Sequence, residues 1–222
     1  MIDSPSSNNE NKGKIADSKQ GERASLGLTT PVRALDNRVK VIVLQHPQEP
    51  DKVLGTATLL VRALENAELK VGLSWRSFKA VAGEAAVPGE WAVLYLGAKG
   101  KDFPREVNFA SKKGDPIPDR FPVKGIVVLD GTWSQAKALW WRNPWLLKLK
   151  RIVIQPKAPS LYGRLRKEPR REAVSTLESV AIALSDLDPK GAQVREHLMT
   201  SFQTMLNLFR DQKKINPPAE SP

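Results

Sequence analysis

The residues best placed to do chemistry are Asp130-Gly131-Thr132-Trp133, directly after the apolar run Ile126-Val127-Val128-Leu129. Such a run predicts a strand buried on both faces, as in a parallel sheet, with Asp130 at its carboxyl end. Thr132, followed three residues later by Gln135, has the form of a capping box, so a helix is expected to start there. Ala136 to Leu139 favour helix, and Asn143-Pro144 ends it, because the residue before proline is pushed out of the α region. A carboxylate between a strand end and a helix N-terminus stands where ligands bind in open α/β sheets. Asp130 is also the only acid between Asp119 and Glu168. A solitary carboxylate among cations suits chemistry on a nucleic-acid base. The plainer alternative is that Asp130 caps the turn and the tryptophans fill a core.

The cations are concentrated around the same unit. From Lys137 to Arg171 there are eleven basic residues against the single acid Glu168, a surplus of ten in a chain whose formal charge is +11. A solvated face usually mixes both signs, so this segment points to a phosphate backbone, bound with an affinity that falls steeply with salt. Arg142, Arg164, Lys167, Arg170 and Arg171 are the expected phosphate contacts. Trp140, Trp141, Trp145 and Tyr162 lie among these charges; most are expected in the core, and the one or two at the surface would stack on unpaired bases.

At 222 residues the chain is one domain with tails. It has no cysteine, which excludes a disulfide framework, a thiol nucleophile and cysteine-ligated zinc, and two histidines are too few for the usual alternative zinc sites. The first thirty residues hold no apolar signal core, and no run approaches the roughly 18 apolar residues that span a bilayer. A cytoplasmic protein without membrane contact is expected. No glycine-rich dinucleotide fingerprint or phosphate-binding Walker loop follows any strand.

The remaining elements must position the Asp130 turn. Residues 1–36 are polar, with five acids balancing five bases, and are expected to be a disordered tail. Strands are predicted at Val39–Leu44, around Leu69–Leu73, at Trp91–Leu96 and at Arg151–Ile154, with a helix over Val53–Leu64. Gly97 and Gly100 follow the third strand and allow close backbone approach to a ligand. Lys101–Phe121, with three prolines and mixed charge, reads as a long loop. Ser175-Thr176-Leu177-Glu178 is a second capping box, and Gln193–Asp211 a final amphipathic helix in which His197 is structural. The domain should therefore span 37–213, with a frayed tail at 214–222. Alternating short strands and helices make it an α/β domain with a mainly parallel sheet flanked by helices.

Asp130-Gly131-Thr132-Trp133 resembles the Asp-x-Thr-Trp signature of the DTW-domain proteins, RNA uridine aminocarboxypropyltransferases related to the SPOUT superfamily. His46-Pro47-Gln48-Glu49 with Thr56, Tyr162-Gly163-Arg164-Leu165-Arg166-Lys167, and Ser175-Thr176-Leu177-Glu178 are similar to further motifs of that family. The resemblance covers about Val39 to Leu184. It implies a SPOUT-like fold with a trefoil-knotted C-terminal half. It also implies transfer of a 3-amino-3-carboxypropyl group from S-adenosylmethionine to a tRNA uridine, at N3, with release of methylthioadenosine. By the same resemblance Asp130, Thr132 and Trp133 are catalytic, and Gly97, Pro156, Ser160, Tyr162 and Thr176 hold S-adenosylmethionine, largely through backbone. Arg166 would grip its carboxylate, since an arginine fork matches one. Asp130 would either take the imide proton, orient the imide N–H, or balance the sulfonium.

Two departures from the family stand out. Leu96 and Lys99 lie near positions where it has a proline and an acid, and its N-terminal cysteine cluster is missing, so no zinc is expected. The alternatives are a SPOUT-type RNA methyltransferase, a ribosomal RNA aminocarboxypropyltransferase and a non-catalytic RNA-binding protein, acting as a monomer or homodimer.

Overall fold

The computed structural model describes residues 26–49, 53–94, 103–118, 121–163, 165 and 174–215. Seven strands form one sheet: β1 (Lys40–Gln45), β2 (Ala67–Val71), β3 (Trp91–Leu94), β4 (Val107–Ala110), β5 (Pro116–Ile117), β6 (Gly125–Asp130) and β7 (Lys150–Ile154). Their order is β2-β1-β6-β3-β7-β4-β5. The first five in this order run parallel; β4 and β5 are antiparallel additions at one edge. The expected mixed α/β fold with a mainly parallel, helix-flanked sheet is therefore observed.

Period-two alternation sends the strand side chains into two layers. Val41, Val43, Ile126, Val128 and Ile152 pack against α1 (Leu26–Thr29), α2 (Thr56–Ala63), α5 (Thr176–Leu187) and α6 (Gly191–Ile215). Ile42, Leu44, Val93, Val127 and Leu129 pack on the other side, against α3 (Phe78–Ala82), α4 (Trp133–Arg142) and the 3-10 turn Pro144–Lys148. The central strands are apolar throughout because both of their faces are covered, and each fully buried aliphatic side chain contributes about 1.5–3 kcal/mol. α6 buries Val194, Leu198, Phe202 and Met205, and His197 Nε2 lies 3.1 Å from the Ala63 carbonyl, a structural role as expected. No helix among the described residues is long and apolar enough to cross a membrane.

The structure departs from the sequence reading at three places. Within the expected loop Lys101–Phe121, the described residues hold β4 and β5, a hairpin whose β4 pairs with β7. Val107 and Phe109 alternate with Asn108, but a four-residue alternation among prolines and charges is legible only once β7 offers an edge to pair with. α3 was not foreseen; it is a single short turn of helix capped by Ser77 Oγ, which accepts from Ala80 N at 3.2 Å. The chain is also built into the fold from Leu26 rather than from residue 37. Leu26 is buried in the core and its N–H donates to the Val53 carbonyl at 3.0 Å. Sparse apolar residues in a polar segment suffice here because α2 already presents the surface they cover. Residues 1–25 lie outside the described residues, as do 216–222; the last helix runs on to Ile215.

Asp188 closes the layer. Its Oδ2 accepts from the backbone N–H groups of Arg38, at 2.7 Å, and Val39, at 2.9 Å, which fixes the entry of β1 to the end of α5.

Candidate active site

Asp130 is the last residue of β6 and stands in register beside Gln45, the last residue of β1. Gln45 Nε2 donates to Asp130 Oδ2 at 2.8 Å, and Thr176 Oγ1 donates to Asp130 Oδ1 at 2.5 Å. Thr176 is the first residue of α5, and the N–H of Leu177 reaches Thr56 Oγ1, at the start of α2, over 3.4 Å. The N-terminus of α5 thus meets this carboxylate, that of α2 lies against α5's first turn, and α4 starts three residues beyond Asp130. Helix N-termini present partial positive charge, so the carboxyl edge of the sheet favours anionic groups here. With both oxygens tethered, Asp130 is half-buried and held in one orientation, while each oxygen keeps acceptor capacity for a further N–H.

The turn after Asp130 is fixed by close packing. A Cβ at Gly131, whose φ is +155°, would lie 2.9 Å from Gln135 Cβ, so no larger residue fits without displacing α4. Thr132 and Gln135 form the expected capping box, the Thr132 N–H donating to Gln135 Oε1 at 2.7 Å. The Thr132 hydroxyl oxygen is engaged in that cap, and Trp133 is the half-buried first residue of α4. Gln135 Nε2 also donates to Gln48 Oε1 at 3.3 Å, while the His46 N–H donates to the Asp130 carbonyl at 3.0 Å. The His46–Glu49 turn is therefore stapled to the Asp130 turn.

The loop after β7 is anchored by Glu178. Its carboxylate, buried, accepts from Ser175 N (2.7 Å), Ser160 Oγ (2.7 Å) and Leu161 N (2.8 Å). Ser160 and Thr176 are thereby brought to the same end of α5, with half-buried Pro156 four residues before Ser160 on the same loop. Tyr162 is different: its ring is 0% exposed, packed edge-on against Phe202 at 5.0 Å, and its hydroxyl donates to the Leu54 carbonyl. Only the Tyr162 backbone can meet a ligand. At the other end of the loop Glu106 accepts both guanidinium nitrogens of Arg195, at 2.8 and 3.0 Å, which holds its carboxyl below the ordinary value of 4.5.

Among the described residues, the cations of this segment do not gather in one trough around Asp130. Arg142 ends α4 and is exposed, nine residues beyond Trp133, so about 14 Å of helix rise separates it from the turn. Lys150 stands level with Ile126 through Ala92, four residues before Asp130, and covers the Phe121 ring at 4.5 Å. Arg151 is buried, lying 5.4 Å from the Trp140 ring and donating to the Lys112 carbonyl. Both serve the fold, because the stems and planar head of these side chains pack well on aromatic faces. Gly97, Arg164, Arg166, Lys167, Arg170 and Arg171 lie outside the described residues. Of the aromatics, Trp145 is buried and Trp141 is exposed.

Gln45 was missed from sequence. The available signal is that Val41–Leu44 and Ile126–Leu129 are equally long apolar runs, each ended by a polar residue; only the parallel register puts those two residues side by side. No group of three or more His, Cys, Asp or Glu among the described residues could hold a metal ion.

The chain is similar to several known proteins. The chain is 29% identical to the tRNA-uridine aminocarboxypropyltransferase 2 of Macaca fascicularis over 79% of this chain and 56% of that protein. The Drosophila melanogaster protein of the same name is 28% identical over 75% of this chain and 62% of its own length. The tRNA-uridine aminocarboxypropyltransferase A of Arabidopsis thaliana is 24% identical, over 79% and 73%. The chain thus spans rather more than half the length of the animal relatives. No solved structure matches it. The family model of the DTW domain matches residues 26–210, from α1 into α6 and across the whole Asp130 site. The chain belongs to the DTW-domain family.

Proposed function

We propose that this protein transfers the 3-amino-3-carboxypropyl group of S-adenosylmethionine to N3 of a uridine in tRNA and releases methylthioadenosine. The observation that supports this most strongly is the tethered Asp130 carboxylate at the mouth of the sheet, in a chain whose relatives are named tRNA-uridine aminocarboxypropyltransferases. The bond formed is N3 to the γ-carbon, the bond broken is γ-carbon to sulfur, and the N3 proton leaves. Gln45 and Thr176 fix the Asp130 oxygens so that one of them meets the imide N–H, either orienting it or taking its proton; a positioned base contributes roughly 10²–10⁴-fold.

The co-substrate supplies an electrophilic carbon on a positively charged sulfur. The residues present suit it: a carboxylate to balance the sulfonium, the N-terminus of α5, and the exposed loop backbone around Lys157 to Pro159. Pro156, Ser160, Tyr162, Thr176 and Gly97 would hold it, with Arg166 on its carboxylate. Thr132 and Trp133 shape the turn that carries Asp130. Arg142, Arg164, Lys167, Arg170 and Arg171 would meet tRNA phosphates. A cytoplasmic setting, kinship with the SPOUT superfamily and a knotted C-terminal half belong to the same reading.

The test is mass spectrometry of tRNA nucleosides after incubation with protein and labelled S-adenosylmethionine. A uridine heavier by the aminocarboxypropyl group, with methylthioadenosine alongside, is expected from the wild type. Asp130→Asn should abolish transfer and leave tRNA binding nearly intact. A methylated nucleoside with adenosylhomocysteine would replace the proposal by a methyltransferase, and wild-type turnover by Asp130→Asn would remove Asp130 from the chemistry.

A further inference from the structure

Trp141 is 78% exposed, although tryptophan is among the side chains that gain most from burial. It is the far end of a stripe. Ser134, Lys137, Ala138 and Trp141 fall at i, i+3, i+4 and i+7 on α4, opposite the buried Ala136 and Leu139, so the stripe starts at the Asp130 turn and runs away from it. Eight residues of helix put Trp141 about 12 Å beyond Trp133. The cations around it all point outward: Lys137 one turn before, Arg142 beside it and Lys148 in the following 3-10 turn are exposed, and none pairs with an acid among the described residues. Leu147 in that turn is a further 44% exposed.

We infer that the outer face of α4 is a second nucleic-acid contact, in which an unpaired RNA base stacks on Trp141 and flanking phosphates meet Lys137 and Lys148. An indole face with cations on either side is the chemistry that holds single-stranded nucleic acid, since stacking accepts any base and the cations track the backbone. A second copy of the chain is the weaker occupant, because a symmetric contact would set the same unpaired cations against one another. The track leads from the reacting residue to a platform a few nucleotides away and helps position the strand. It shares with the proposed reaction only the premise that the ligand is RNA.

Binding of the full chain to single-stranded oligouridine and to unmodified tRNA tests this, with transfer measured in parallel. Trp141→Ala should weaken binding to both by at least about fivefold, and Trp141→Phe should recover most of it. Replacing Lys137 and Lys148 by Gln should flatten the slope of log affinity against log salt by about 0.7 for each phosphate that is no longer neutralised. The thermal midpoint of Trp141→Ala should match the wild type, which separates a missing stacking platform from a damaged fold. Unchanged RNA affinity in Trp141→Ala overturns the inference, and reduced self-association in that variant would then assign the face to a second copy. Trp141-dependent binding without any modified nucleoside would sink the proposed reaction and keep the platform. Transfer and affinity both indifferent to Trp141 would do the reverse.

Discussion

The two capping boxes of this protein follow one local grammar and meet different fates. At α4, Thr132 and Gln135 satisfy each other's backbone groups at the surface, and Gln135 has one further partner, Gln48. At α5, Ser175 and Glu178 make the same reciprocal bonds inside the protein; Glu178 also holds Ser160 and Leu161, and the intervening Thr176 holds Asp130. The difference teaches that a cap becomes part of a site when burial turns its spare hydrogen-bonding capacity into obligatory bonds. In water a missing partner is replaced by solvent; in the interior the orphaned group bears its desolvation cost.

Breaking the buried box should therefore have the largest effect. Glu178→Ala strands three donors, and a loss of about 3 kcal/mol in denaturant unfolding is expected, together with abolished transfer. Thr176→Val keeps the side-chain shape but removes the donor to Asp130. Transfer should fall about tenfold, and stability should change by less than about 1 kcal/mol, in steady-state kinetics read beside a thermal melt. If Thr176→Val lost stability and kept its rate, Thr176 would be a structural cap alone.

The exposed box should be the milder lesion. Gln135→Ala is expected to cost about 1 kcal/mol, measurable by the same unfolding, because Thr132 keeps its own half of the cap. Smallest is the Glu106–Arg195 pair at the other end of the β7 loop. Arg195 holds the Glu106 carboxyl below 4.5, so its contribution is fully present above that pH and is lost as pH falls through the lower folded value. Arg195 is partly solvated, so this contribution is below about 1 kcal/mol. The stability difference between wild type and Glu106→Gln should shrink as the pH is lowered from neutral to below the ordinary carboxyl value of 4.5.

Much of this was legible in residue order. The apolar runs at Val41–Leu44 and Ile126–Leu129 determined buried parallel strands, because such runs need both faces of the sheet covered. Both capping boxes and the break at Asn143-Pro144 are local backbone chemistry and fell where the residues put them. The Asp-x-Thr-Trp signature fixed the family without reference to coordinates. Tertiary structure alone decided which of these local features touch. It paired Gln45 with Asp130 through strand register, delivered Thr176 across 46 residues of chain, and buried Tyr162 while leaving Trp141 in solvent. It also divided the basic segment, placing Lys150 and Arg151 on aromatic rings and Lys137 and Arg142 outside. Charge and aromaticity are properties of residues, but whether they serve a core or a ligand depends on what the packing of distant segments places against them.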